Sequence, residues 1–160
     1  MRIEEKEGRL TVVDFNEIDA YKIASKVEKD GIEFYQELLK KLGTEDEKCK
    51  KIISFLIDEE RAHLKFFEES LFRLRQKSPE FADNDEEDIL YSMDYGIFKG
   101  IAHEPHQALK SAIAIEDKSI KFYECCKGHV QAAQAKQELQ VIIDEEMKHR
   151  EVLLDMLNHL

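Results

Sequence analysis

The segments IDEERAH (57–63) and IDEEMKH (143–149) are two versions of one motif. In each, two adjacent glutamates are followed by a histidine three residues after the second glutamate. Both segments lie inside stretches with the apolar spacing of a buried helix. A carboxylate in such a position loses its hydration and needs a compensating partner. Because the motif occurs twice, we infer that these acids serve a common purpose.

Acids of this kind recur in four apolar helical stripes, each with a single glutamate near mid-helix. Two of the stripes add a histidine one turn later. The residues are Glu28, Glu60, His63, Glu116, Glu146 and His149. No Lys or Arg falls on these faces, and uncompensated buried ions cost several kcal/mol each, by order of magnitude. Two divalent cations would neutralise the four carboxylates, with the imidazoles as further ligands.

The remainder of each half also repeats. The stretch AYKIASKVEKDGIEFY (20–35) matches ALKSAIAIEDKSIKFY (108–123), and the two motifs follow on the next helix. We expect two similar helical hairpins related by a pseudo-twofold axis.

Start and stop signals divide the chain into helices. Gly43 ends the first helix, Thr44 and Glu47 have capping-box spacing for the second, Pro79 terminates it, and Pro105 suits the first turn of the third. The helices are predicted at about 16–42, 44–77, 104–127 and 131–160.

The predicted fold class is all-α, a four-helix bundle of two antiparallel hairpins joined by a long crossover. The domain organisation is an N-terminal extension (1–15) followed by one bundle domain (16–160). The hairpins cover 16–77 and 104–160, and the crossover 78–103 has room for a short helix at 85–98.

Charge and cysteine content exclude several function classes. The net charge of -11 argues against binding nucleic acid or anionic membranes by bulk electrostatics. We expect no membrane span and no signal peptide, because no run of about 18 apolar residues occurs and the start is charged. The odd number of cysteines fits a reducing cytoplasm, and Cys125 with Cys126 is interpreted as two free thiols in preference to a redox pair.

The chemical types of the candidate ligands restrict which metal ions are expected. Carboxylates with imidazoles and no thiolate favour iron or manganese over structural zinc. The alternative is a metal-free bundle in which these acids and histidines pair with one another.

The doubled pattern, a helix with E-x6-Y followed by D-E-E-x-x-H, resembles the rubrerythrin branch of the ferritin-like superfamily over about residues 16–160. The resemblance implies that the six residues bind two iron ions, with manganese or a mixed metal pair left open. It assigns Glu60 with His63 to one metal and Glu146 with His149 to the other. Whether Glu28 and Glu116 are terminal or bridging stays open.

Two departures from the resembled family stand out. Rubrerythrins usually carry a rubredoxin-like site of four cysteines, which this chain lacks. They also carry an extra glutamate one turn after the ligand of the third helix, where this chain has Ser119, matched by Gly31 in the first helix. The expected centre is a symmetric version with six ligands.

The resemblance implies an oxidoreductase of oxidative-stress defence, a peroxidase that reduces hydrogen peroxide, or dioxygen, at the di-iron centre. Electrons would come from an external donor such as a rubredoxin-like or flavin protein. A cytoplasmic homodimer is expected, with a swapped hairpin conceivable. The alternatives are a ferroxidase or iron-handling protein and a non-enzymatic metal-binding helical module.

Residues beside the proposed ligands have two possible roles each. Tyr35 and Tyr123 lie two turns after a glutamate, where each could hydrogen-bond a ligand carboxylate or simply pack in the core. Glu59 and Glu145 precede the motif glutamates and could orient a histidine of a neighbouring helix. For these two acids, an exposed surface position is the favoured interpretation.

Overall fold

The structure, a computed structural model, describes residues 2–6, 9–13, 17–41, 47–77 and 105–159. Four helices occupy most of these residues: α1 (Glu17–Lys41), α2 (Glu47–Lys77), α3 (Pro105–His129) and α4 (Ala133–Asn158). The predicted all-α helical bundle is confirmed. The predicted crossover and its short helix lie outside the described residues.

The ends of α3 show where turn signals succeed and fail. Pro105 opens the helix, as predicted, because a first-turn residue needs no backbone donor. The predicted stop before Gly128 is wrong. Helical hydrogen bonding continues past it, since the N–H of Val130 donates to the carbonyl of Cys126 over 3.0 Å.

The helix α4 is shorter than predicted at both ends. Ala132 precedes it with extended backbone (φ -66°, ψ 127°) and makes no side-chain cap. At the other end, the N–H of His159 closes onto the carbonyl of Met156 over 3.1 Å. These are small shifts of the kind that weak capping signals leave undetermined.

The N-terminal extension forms a two-stranded antiparallel sheet, which we did not predict. Strand β1 (Arg2–Lys6) pairs with β2 (Arg9–Val13), with Glu4 opposite Thr11. The β-branched run of Thr11, Val12 and Val13 is a strand signal that was available in the sequence.

Two apolar clusters fill the bundle, one toward each end. Core A lies where α1 and α4 begin and includes Tyr21, Val27, Phe67, Tyr123, Leu139 and Ile142. Core B lies where α1 ends and α3 begins and includes Tyr35, Leu38, Ile53, Leu56, Leu109 and Leu153. The start of α1 thus shares a core with the second half of α2, so the two helices run antiparallel.

The helices pair as predicted from the short links. α1 packs chiefly on α2 and α3 on α4, and the halves meet through α1 with α3 and α2 with α4. None of the four described helices holds an apolar stretch of the length that a bilayer crossing requires.

Candidate metal centre

The structure brings all six predicted residues together between core A and core B. Each of these residues is at most 3% exposed; they are Glu28, Glu60, His63, Glu116, Glu146 and His149. The buried residues of the described chain include no Lys or Arg. Four carboxylates therefore converge in the bundle without a lysine or arginine among the buried groups.

Two overlapping groups of potential ligand atoms share this space. In each group the ligand atoms lie within 4.8 Å of one another. One group is Glu28, Glu60, His63 and Glu146, and the other is Glu60, Glu116, Glu146 and His149. Glu60 and Glu146 belong to both, whereas the resemblance had assigned each to one metal. Glu60 and Glu146 could therefore serve both metal positions, whereas Glu28 and Glu116 each belong to one.

His63 is fixed by a hydrogen bond on its far side. Its Nε2 lies 2.9 Å from a carboxylate oxygen of Glu145, so Nε2–H donates and Nδ1 is left to face the centre. Nδ1 lies 3.4 Å from Glu60 and 3.5 Å from Glu146, beyond good hydrogen-bonding distance. Glu145 thus has the orienting role that the sequence had ranked second; its side chain is 34% exposed.

His149 has no equivalent support. Its Nδ1 lies 3.5 Å from Glu146 and 3.7 Å from Glu60. Its Nε2 is buried without a hydrogen-bond partner in the described part of the chain. Glu59, the counterpart of Glu145, therefore does not hold this imidazole, and the two halves of the centre differ here.

Two tyrosines hold carboxylates across the halves. The hydroxyl of Tyr35 on α1 donates to Glu116 on α3, and that of Tyr123 on α3 donates to Glu28 on α1. Burial, followed by the charge of the nearby glutamates, raises the pKa of both phenols. The phenols therefore stay protonated and act as donors, while their rings pack in the core. Both roles weighed from the sequence apply.

Proton occupancy differs among the four acids. Burial, followed by the charge of Glu60, raises the pKa of Glu28 well above its usual value. Burial and Glu146 do the same to Glu116. Burial, and for Glu146 also the charge of Glu60, opposes ionisation of Glu60 and Glu146, but the facing carboxyl groups of Glu28 and Glu116 and the two imidazoles outweigh it and lower their pKa. Without metal, protons on Glu28 and Glu116 reduce the repulsion.

The imidazoles hold protons for the same reason. Burial lowers the pKa of both, but the surrounding carboxylates act more strongly. They raise the pKa of His149 to about 9, and they raise that of His63 well above its usual range. The residues thus form an electron-rich pocket that binds cations, whether protons or metals.

Unpartnered atoms show that a metal pair fits. Besides Nε2 of His149, four buried atoms of this cluster lack a hydrogen-bond partner among the described residues: Nδ1 of His63, Nδ1 of His149, Oε2 of Glu116 and Oε2 of Glu146. Buried polar atoms are normally satisfied. Two cations, one in each ligand group, would satisfy all four, and carboxylates with imidazoles are donors that iron and manganese accept.

The comparisons with known proteins agree with this geometry. The family model described as Rubrerythrin matches residues 6–90. The solved structure of a candidate ferritin-like diiron-carboxylate protein from Thermotoga maritima is similar, with a TM-score of 0.63 and 25% sequence identity. The match covers 88% of this chain and 93% of that one. Among curated proteins, none matches the chain.

The bundle is therefore ferritin-like, and no rubredoxin-like segment is evident in the sequence. The family model spans more than half of the chain, and both Glu-x-x-His helices meet at one buried centre. This chain belongs to the rubrerythrin family.

Proposed function

We propose that this protein reduces hydrogen peroxide, or dioxygen, at a dinuclear iron centre bound by the six clustered residues. The supporting observation is the position of Glu60 and Glu146, which lie in both ligand groups and can join two cations. When bound, ferrous ions supply the electrons that cleave the O–O bond. A manganese or mixed pair suits the same donors.

The surrounding residues orient the ligands and exclude water. Tyr123 and Tyr35 fix the two unshared carboxylates, and Glu145 fixes His63. Core A and core B close the centre from both ends. At Gly31 an added Cβ would lie 3.9 Å from Cδ of Glu60, so this glycine leaves space beside a shared carboxylate. A small oxidant needs such space to reach the centre.

An external electron donor is part of the proposal. The chain has three cysteines, fewer than the four of a rubredoxin-like site. The thiols of Cys49 and Cys126 are buried on helices, with Cys125 half-buried. A rubredoxin-like or flavin protein in the cytoplasm would deliver the electrons.

A homodimer completes the proposal. Phe55 on α2 and Val141 on α4 occupy equivalent positions of the two halves, and they are 52% and 55% exposed. Apolar groups exposed on both α2 and α4 would gain from contact with a second copy.

Anaerobic stopped-flow oxidation tests the reaction. The diferrous protein is mixed with hydrogen peroxide or with dioxygen, and formation of the ferric centre is followed by absorbance. We expect faster oxidation by peroxide. The Glu146→Ala variant should lose the ferric signal because it removes a shared carboxylate, whereas Glu59→Gln should retain it.

The same experiment addresses the alternatives. Faster oxidation by dioxygen, with mineral formation at excess iron, would favour a ferroxidase. That function gains some support from Ser119, buried where the resemblance implies an additional glutamate. Less than a single metal ion per chain after anaerobic iron loading would favour a non-enzymatic module and contradict both enzyme functions.

A further inference from the structure

The two halves match at the metal centre but differ in the cores beside it. The repeat pairs Tyr21 with Leu109 and Phe67 with Leu153. All four side chains are buried, at 2% exposure or less. Leucine therefore fills in core B the positions that aromatic rings fill in core A. Packing alone does not require rings at these positions, since the other half of the repeat has leucine at the equivalent positions.

The rings of core A form a continuous series. The centroids of Tyr21 and Phe67 lie 5.7 Å apart, and those of Phe67 and Tyr123 also lie 5.7 Å apart, with the second pair stacked at 24°. These separations are typical of direct ring contact. Tyr123 in turn donates its hydroxyl hydrogen to Glu28. One hydrogen bond and two ring contacts thus connect the proposed ligand Glu28 to Tyr21.

Tyr21 lies at the far end of this series, beside a polar cleft. Its hydroxyl donates to Oε2 of Glu138 over 2.9 Å. Tyr21, Glu138, Arg73 and Lys77 help to line the cleft, whose volume is about 130 Å³. The cleft is open to solvent through its charged rim. Tyr21 is 2% exposed but lines this cleft, so a small reductant in the cleft would lie next to it without entering the bundle.

We propose that Tyr21, Phe67 and Tyr123 form a single-electron route between the metal centre and this cleft. It rests on the proposed function: two ferrous ions would supply the two electrons that a first peroxide takes, so a further peroxide would be the oxidant that draws electrons from Tyr21. In the outward step, Tyr21 loses one electron to the centre by way of Phe67 and Tyr123, and its phenolic proton passes to Glu138. A neutral tyrosyl radical remains.

The second step restores Tyr21 from the cleft. A thiol or ene-diol reductant returns a hydrogen atom, which is one electron and one proton, and leaves as its own radical. Glu138 then releases the proton that it received. The electron gained by the centre is thus taken from the external reductant, and all protons are accounted for. Tyr21 is a relay residue in this scheme, and Phe67 is a bridge that is not itself oxidised.

Spin trapping tests the route with a readout other than turnover. The diferrous protein is oxidised with several equivalents of peroxide in the presence of a nitroso spin trap, digested with trypsin, and analysed by mass spectrometry. The peptide 10–22 contains Tyr21 as its single tyrosine. We expect a trap adduct on this peptide, a tyrosyl signal in rapid-freeze electron paramagnetic resonance, and suppression of both by ascorbate.

Two leucine variants separate transfer from packing. Phe67→Leu introduces the residue type of the equivalent position, Leu153. It should abolish the adduct on Tyr21 while the ferric centre still forms. Phe66→Leu is the matched control: its ring lies 6.4 Å from Tyr21 and 5.3 Å from Phe67, so it removes similar bulk beside the route. The adduct should persist in this control. Persistence in Phe67→Leu, or loss in both variants, would overturn the route.

Ferric absorbance distinguishes failure of the route from failure of the proposed function. A normal ferric signal without an adduct on wild-type Tyr21 overturns the route and leaves peroxide reduction intact. If peroxide fails to oxidise the centre, the same labelling with dioxygen tests the route alone. If neither oxidant forms a ferric centre, the route has no electron acceptor and is overturned together with the proposed function.

Discussion

The imidazoles of His63 and His149 occupy matched positions but are held differently. Glu145 accepts a hydrogen bond from His63, whereas Nε2 of His149 has no such partner in the described chain. A carboxylate behind a ligand imidazole fixes the ring and increases its basicity. The metal position next to His63 should therefore bind more tightly than that next to His149.

Replacing Glu145 by Gln tests this difference. The variant should lower the affinity of the tighter position by about tenfold to a hundredfold, the range typical of lost outer contacts to a ligand histidine. Glu59→Gln, at the equivalent position of the first half, should have little effect on metal affinity. Calorimetric titration with ferrous or manganous ions would resolve the two binding steps. Equal losses in both variants would contradict the assigned role of Glu145.

The phenol of Tyr35 stabilises a carboxylate that has few other partners. Oε2 of Glu116 already lacks a hydrogen-bond partner, and Tyr35 donates to Oε1. Tyr35→Phe should lower the free energy of unfolding of the metal-free protein by about 1–3 kcal/mol, because it leaves a buried acceptor unpaired. Urea unfolding measures this. Tyr123→Phe should cost a similar amount, and an unchanged midpoint in both would refute the argument.

Gly31 affects α1 as a whole. It lies in the helix interior, where glycine costs stability relative to alanine, and an added Cβ would make ordinary contact at 3.9 Å with Glu60. Gly31→Ala should raise the free energy of unfolding by about 0.5–1 kcal/mol. Metal stoichiometry should not change, since a methyl group there does not displace the carboxylate.

Gly128→Ala is the matched control for that substitution. It lies within α3, and an added Cβ would meet nothing within 4 Å. The control therefore reports the effect on the helix alone. Thermal unfolding of both variants, with and without metal, separates this effect from the contact with Glu60. Metal loss in Gly31→Ala would show that the added methyl group displaces the carboxylate of Glu60.

The number and approximate location of the helices were predictable from the sequence, but their first and last residues were predicted less accurately. Apolar spacing identified the four helices, and Pro105 located one start correctly. Gly128 was misread as a stop because glycine ends a helix only where the backbone turns to positive φ, and here helical hydrogen bonding continues. The strand pair was missed because its available signal, the β-branched run at 11–13, is too short to show a clear periodicity.

The bundle and its cluster of six residues could also be predicted from the sequence. Each of the four apolar stripes has one glutamate near mid-helix, so these acids must lie at a similar height in the bundle. The sharing of Glu60 and Glu146 could not be predicted, since it depends on how far each helix rotates toward the axis. The unequal support of His63 and His149 depends on similar details of packing. Such differences of an ångström have no signature in residue spacing.

Proton and metal binding compete throughout the centre. Without metal, Glu28, Glu116 and both imidazoles retain protons because their pKa values are raised. Metal binding must release these protons, so affinity should rise as the pH rises toward about 9, the pKa of His149. Titration of the protein with metal in weakly buffered indicator dye measures the release. Absence of released protons would contradict the protonation pattern.

The same protons determine how the stability of the metal-free protein varies with pH. The pKa of His149 rises from 6.5 to about 9 on folding, so the folded chain binds this proton more tightly than the unfolded chain. The resulting stabilisation is fully present below pH 6.5 and is lost as pH rises to about 9. The raised pKa values of His63, Glu28 and Glu116 act in the same direction. Urea unfolding across this range should therefore show declining stability without metal. With metal bound, the decline should vanish, because cations replace the protons; parallel declines in both forms would mean that the metal binds elsewhere.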